Sequence, residues 1–432
     1  MSESSNNKTS DHLGFLDGIR GGAALWVVLA HCMIWGGWYG IPLPSAKIAV
    51  DIFMVASGFL MVYQYRRREK TEPLDSKRTA CRFWLRRFFR IAPVYYLLLL
   101  FLFLFWNTYA DGLTTLQAAT PRQWPKPSVY DPAIYSMTGL NVFLHATFLF
   151  GLLPKYASSS LSPDWSIGLE MQFYAVFPVL FFIFRRISWI GLLVIGLGLS
   201  ICCNRLFGHL PGIVPGVQGL FPEPSFLPMK LPLFLIGMLA GETFCSLKHT
   251  PRQSALMTVA AILLAGHYSL WTGLATGVVF YLAWNRVAGD VQEDDHTFVV
   301  GRWLNRILSN RCTAFMADAS YSVYLSHCVL ISLLGGLLFR QAGFLALNPP
   351  VRVGILAAIV CSTAYLLAAI LHHLVEKPGI EIGKRLMNNW LPVTSASRQT
   401  ELIVLGEPSV EPNSVATSNA AIVDSIKDKI VP

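Results

Sequence analysis

Charge is scarce in this sequence: 14% of its 432 residues are Asp, Glu, Lys or Arg, against about a quarter in a soluble chain. With 53% hydrophobic residues, that shortage excludes an ordinary soluble globular protein. Alternating apolar and polar segments are lacking too; the apolar runs are continuous, which excludes a membrane β-barrel. The eight cysteines contain no C-x-x-C spacing, so neither a disulfide framework nor a metal pattern is read from them. Cys32, Cys202, Cys203, Cys245, Cys328 and Cys361 lie in or beside apolar segments, where a thiol behaves as a small hydrophobe. No internal repeat, cleavable signal peptide or second catalytic domain is evident. The net charge of +9 does not imply a nucleic-acid partner. The basic residues gather in short loops between apolar runs, which is the distribution membrane topology imposes.

What is there reads as an all-α, polytopic transmembrane bundle whose solvent is the lipid bilayer. Apolar runs of about 17–25 residues give about ten spans, near 17–36, 48–65, 90–107, 165–184, 187–203, 230–247, 254–268, 269–285, 313–338 and 353–374. The loop after the second span holds Arg66, Arg67, Arg68, Lys70, Lys77, Arg78, Arg82, Arg86, Arg87 and Arg90, which marks it as cytoplasmic. Both termini then fall on the cytoplasmic side. The chain divides into an N-terminal cytoplasmic segment over 1–14, a membrane domain over 15–385 and a cytoplasmic tail over 386–432. The tail's Ser-, Asn- and Val-rich composition without periodicity predicts disorder. Residues 139–154 are apolar but short, and are read as a re-entrant or interfacial element; His145 within it is either structural or turned toward a site. The loops near 108–138 and 204–228 are rich in Pro and Gly and face outward.

The first span carries ionisable groups where lipid makes them expensive. Arg20 and His31 are eleven residues apart, which leaves them within about 20° of one helix face and about 16 Å apart along the axis. The guanidinium then lies near one membrane surface and the imidazole about halfway across.

Several blocks together resemble the integral-membrane acyltransferase 3 family. Phe15-Leu-Asp-Gly-Ile-Arg20 through His31 resembles its R-x10-H first helix, and Val50-Asp51 through Ser57-Gly58-Phe-Leu its second-helix motif. Arg87-Phe-Phe-Arg90 is similar to its R-x-x-R stretch, and Trp165-Ser166 through Glu170 to Phe173-Tyr174 to its W-S-x-x-x-E-x-x-F-Y block. Ser320-Tyr321-Ser-Val-Tyr324-Leu-Ser-His327 and Glu376-Lys377-Pro378 resemble the late blocks. Met54, Ala56 and Ser326 depart from residues common in the family. The resemblance implies a membrane O-acyltransferase that moves an acyl group, acetyl first and succinyl as the main variant, from acyl-CoA to a hydroxyl of a carbohydrate or lipid-linked glycan. Acetyl-CoA would be a substrate, with no permanently bound cofactor and no metal. Polysaccharide-assembly proteins are the expected protein partners, and the bacterial inner membrane the expected location.

Roles follow from chemistry and resemblance together. Neutral imidazole accepts a proton from an attacking hydroxyl, which assigns His31 as general base. Arg20 is expected to contact the donor or a developing oxyanion, with Asp17 one turn away to pair with it. Arg87 and Arg90 share a face, and the resemblance gives them to the phosphates of coenzyme A, for which guanidinium forks are suited. Glu170 and Asp51 are expected either to serve an acceptor hydroxyl or protonated His31, or to pair with other buried groups. Ser57, Tyr324 and His327 are candidate supporting groups, with interhelical hydrogen bonding the competing role for His327. Trp165 reads as an interfacial anchor, and Glu376-Lys377-Pro378 as the terminator of the last helix. A transporter is the rival class, since substrate pathways also bury Arg, His and Glu; an acyltransferase acting on a non-sugar metabolite is the third reading.

Overall fold

The computed structural model describes residues 13–39, 45–69, 71–73, 76–120, 138–160, 162–213, 221, 224–245, 251–289 and 299–392. The tail beyond 392, the first twelve residues and most of the Pro/Gly-rich stretches lie outside them. Fifteen helices are described: α1 (Gly14–Gly36), α2 (Ala46–Arg68), α3 (Lys77–Ala119), α4 (Gly139–Ala146), α5 (Trp165–Arg186), α6 (Trp189–Ile213), α7 (Leu227–Cys245), α8 (Pro251–Tyr268), α9 (Leu270–Gly289), α10 (Val299–Leu308), α11 (Arg311–Leu330), α12 (Gly336–Phe339), α13 (Ala342–Leu345), α14 (Pro349–Leu371) and α15 (Lys377–Trp390). No strand occurs among the described residues. Each apolar run read as a span is helical over most of its described residues. Among the described residues, eight helical stretches are long and apolar enough to cross a membrane, and the apolar parts of α8 and α9 are shorter. The protein is a multi-pass integral membrane helical bundle.

Small residues let these helices approach closely, as bilayer packing requires when no hydrophobic force separates helix from lipid. A Cβ at Gly58 would strike the Phe234 carbonyl oxygen, and one at Gly237 that of Val55; α2 and α7 therefore touch backbone to backbone. They run in the same direction, as do α1 and α11, where Arg20 meets Ser320 and His31 meets His327. α15 returns against α3, with Gly379 on Pro93 and Gly383 on Phe89. α1 ends where Gly37 takes a left-handed φ of 76° and caps the Ile34 carbonyl, the usual helix stop.

Boundaries differ from the sequence reading near 108–138, near 204–228, where α6 runs on to Ile213, and at Pro378, whereas residues 139–154 are short of a span, as read. The stretch near 108–138 was expected to be loop from its start, but α3 continues to Ala119 after a kink at Phe105 (φ −118°, ψ 24°). Buried Tyr109, Leu113 and Leu116 hold that continuation. Residues 139–154 do not cross: α4 has 8 residues and is followed by a single 3-10 turn, Leu149–Leu152, about 12 Å of helix against a core of about 30 Å. Pro378 does not end the last helix. A π-turn over His372–Glu376 precedes it and α15 follows directly; the widened turn places proline in a first turn, where its missing N–H costs no hydrogen bond.

Candidate active site

At the end of the bundle where α2 finishes and α3 begins, α1, α2, α3, α5, α11 and α15 surround a cavity of about 490 Å³. Its walls carry Arg20, Arg67, Arg68, Arg86, Arg87, Arg90 and Lys384, against Asp17, Glu170 and Asp318 as the carboxylates among the described residues. Cation excess of this kind concentrates anions.

The arginines are not equivalent. Arg86 is spoken for, because it and Arg82 clamp Glu72 at 2.6 and 2.8 Å. Desolvation pushes the Glu72 carboxyl up, but the hydrogen bonds and charge of Arg86 and Arg82 overcome it and hold the group below its ordinary value. Arg87 is buried, bonded to the Gln64 side chain and set 5.6 Å from the ring centroids of both Phe83 and Tyr174. Its Nε is buried and has no hydrogen-bond partner among the described residues, while the side chain forms part of the cavity wall. Arg90, one turn further on the same face, forms no hydrogen bond to a side chain among the described residues.

Arg20 reaches the same cavity, 3.3 Å from Ser320 Oγ and 3.8 Å from Asp17. Deeper in, Ser57 Oγ donates to Glu170 Oε1 at 3.1 Å, and the Tyr174 hydroxyl bonds the same oxygen. Tyr324 closes the inner end. Its hydroxyl lies 2.8 Å from the Pro163 carbonyl oxygen and 2.7 Å from Ser166 Oγ, and its ring packs on Phe53 and His327. His31 is not on the cavity wall. It is half-buried, with its ring centroid 5.0 Å from that of His327, whose ring lies 5.7 Å from that of Tyr324.

The other residues singled out from the sequence fall elsewhere. Asp51 pairs with Lys230 at 2.7 Å, so its carboxylate is used between α2 and α7. His145 is buried, stacked on Phe150, and set 3.4 Å from Asp164, which also accepts from Tyr95 and Ser160; it belongs to the packing below α4. Trp165 is buried in the main apolar cluster and so is not a lipid-facing anchor, and one turn on in α5 Phe150 packs on Gly168. Sequence reasoning passed over Gln64, Tyr174, Ser320 and Lys230. Tyr174 had a signal, since it lies one turn from Glu170 on the same face, and Lys230 is a lone cation in an apolar run.

Comparison with known proteins agrees with the blocks that the cavity gathers. Residues 13–369 match the acyltransferase-domain family. The chain is 23% identical to the acyltransferase MdmB of Streptomyces mycarofaciens over 81% of this chain and 84% of that protein. It is 27% identical to the peptidoglycan O-acetyltransferase OatA of Listeria monocytogenes over 46% of this chain and 30% of that one. Protein 2 of the picA locus of Rhizobium radiobacter is 34% identical over 38% of this chain and 78% of its own length. No solved structure matches the chain.

Proposed function

Because the chain belongs to the acyltransferase-domain family of integral membrane proteins, we propose that it transfers an acyl group, acetyl first, from acyl-CoA to a hydroxyl of a carbohydrate or lipid-linked glycan. The observation that carries this reading is the cation-rich cavity, with Arg20, Arg87 and Arg90 on its wall. Coenzyme A carries a pyrophosphate and a further phosphate, the ligands arginine forks suit. Acetyl and a sugar-polymer acceptor are favoured by the Listeria relative, named for O-acetylation of peptidoglycan. The arginine end faces the cytoplasm of a bacterial cell, where acyl-CoA is made. The acceptor approaches from the opposite side, with polysaccharide-assembly proteins as partners.

In this mechanism Arg87 and Arg90 bind phosphate, and Arg20 holds the donor further in. The acylated arm passes Tyr324 to reach His31. His31 takes the proton of the acceptor hydroxyl as its oxygen attacks the thioester carbonyl. The carbon–sulfur bond breaks as the ester forms, and the proton passes to the departing thiolate, giving acylated acceptor and free coenzyme A. Nothing else is consumed. The test is transfer of label from radioactive acetyl-CoA to extracted glycans in membranes carrying the protein or its His31→Ala variant. Transfer by the first and none by the second is expected; undiminished transfer by the variant removes His31 as the base, and solute flux without transfer selects a transporter.

A further inference from the structure

Backbone carbonyls fix the tautomers of both histidines. His327 Nδ1 lies 2.5 Å from the Tyr324 carbonyl oxygen, an atom that can only accept, so Nδ1 carries the proton and Nε2 presents a bare lone pair. His31 Nδ1 lies 2.9 Å from the Val27 carbonyl oxygen, so it too carries its proton on Nδ1. That nitrogen also lies 3.3 Å from His327 Nε2, so its one proton is shared between the Val27 carbonyl and the His327 lone pair, as in a three-centre hydrogen bond. We propose that His327 is the positioning residue of His31, accepting from its Nδ1–H and leaving Nε2 of His31 as the free base.

In a Ser-His-Asp triad the group on the base's Nδ1–H is a carboxylate. Here no carboxylate is ion-paired with His31 among the described residues. Asp51 is held by Lys230, and Glu170 by Ser57 and Tyr174. A neutral imidazole supplies the acceptor without placing a second charge at bilayer depth, where an anion is expensive. When His31 Nε2 takes a hydroxyl proton, its Nδ1–H bond to His327 becomes charge-assisted and strengthens. The bond relaxes when that proton leaves with the thiolate. Helix geometry sets the arrangement: α1 and α11 run in the same direction, so the register that joins Arg20 to Ser320 also brings His31 to His327.

Cys328 Sγ lies 3.3 Å from the same His327 Nε2. Donor atoms of His31, His327 and Cys328 thus lie within 4.8 Å of one another, a set that a zinc ion accepts. The bond to Val27 places a proton on the His31 nitrogen such an ion would need, which favours the hydrogen-bonded pair.

The proposal rests on His31 being the base, and one arm of its test needs no turnover. Full-length protein labelled with 15N-histidine is purified in detergent and its ring nitrogens read by NMR, with His31→Ala for assignment. His31 is expected protonated on Nδ1, with that proton moving upfield in His327→Leu and largely retained in His327→Gln, whose amide oxygen still accepts. In membranes, His327→Leu is expected to lower kcat about ten- to a hundredfold, the range for a hydrogen bond to a charged group, with donor KM unchanged and partial recovery in His327→Gln. A wild-type His31 protonated on Nε2, an unmoved signal in His327→Leu, or stoichiometric zinc lost in His31→Ala overturns the proposal. The expected NMR pattern in a protein that transfers nothing supports the pairing and sinks the acyltransfer reading instead.

Discussion

Ser57 Oγ sits 3.1 Å from Glu170 Oε1 and ties α2 to α5 inside the cationic cavity. Tyr174 donates to the same carboxylate oxygen. Glu170 is therefore the centre of a three-residue cluster, beside Arg20 on the cavity wall. Glu170→Gln keeps a carbonyl oxygen for both hydroxyls and removes the charge. Label transfer by this variant is expected to fall about tenfold or more, while detergent-solubilised protein melts within a few degrees of the parent, because hydrogen bonds to a charged acceptor contribute about 1.5–3 kcal/mol. Wild-type transfer rates in the variant would remove the carboxylate from the reaction.

Donor binding divides between two arginines of different standing. Arg87 is buried on the cavity wall, and Arg90 lies on the same face one turn on. Replacing both by Ala is expected to weaken acyl-CoA binding about a hundredfold, at about 1.5–3 kcal/mol per charge-assisted hydrogen bond lost. Calorimetric titration of solubilised protein with acetyl-CoA measures it. Arg86→Ala is the contrast: it should loosen the Glu72 clamp more than it changes donor affinity.

The Asp51–Lys230 pair predicts stability, not chemistry. Both side chains are largely buried, at 2.7 Å, so removing one leaves the other uncompensated, at a cost of about 3–5 kcal/mol. Lys230→Met is expected to lower the melting temperature sharply, and Lys230→Met with Asp51→Asn to recover much of it. An additive loss in the double variant would show that the two charges are not coupled.

Acid should release the junction between α2 and α3. The folded Glu72 carboxyl is held below its ordinary value of 4.5 by Arg86 and Arg82, against the opposing effect of burial. A depressed carboxyl contributes stability that is present above the unfolded value and disappears as pH falls through the folded one. Melting temperature is thus expected to be flat above pH 4.5 with respect to this group and to drop below it. Glu72→Gln should be less stable at neutral pH and lose part of that acid dependence; an unchanged acid profile would assign it to other groups.

Contact between α2 and α7 depends on Gly58 and Gly237, whose missing side chains admit the facing backbones. Gly237→Val would drive atoms into the Val55 carbonyl. Loss of folded protein on size-exclusion chromatography is expected, with Ala intermediate, since overpacking costs about 1–3 kcal/mol and backbone cannot yield as side chains do.

Sequence by itself determined the membrane class, the apolar runs that become helices and the helix that carries Arg20 and His31. These follow from local properties: the length of apolar runs, the placement of Lys and Arg, and a fixed rotation per residue. Sequence could not tell that Asp51 is spent on Lys230 while Glu170 opens into the cavity, because both are carboxylates in apolar runs and only their neighbours differ. Nor could it show that Trp165 is buried in the main apolar cluster, or that the last helix passes Pro378 through a π-turn. Only the tertiary structure decided that Arg20 lines the cavity while His31, on the same helix, does not, and that His31 meets His327. Their separation along the chain is set by α1 alone, but what stands beside them is set by how α11 packs.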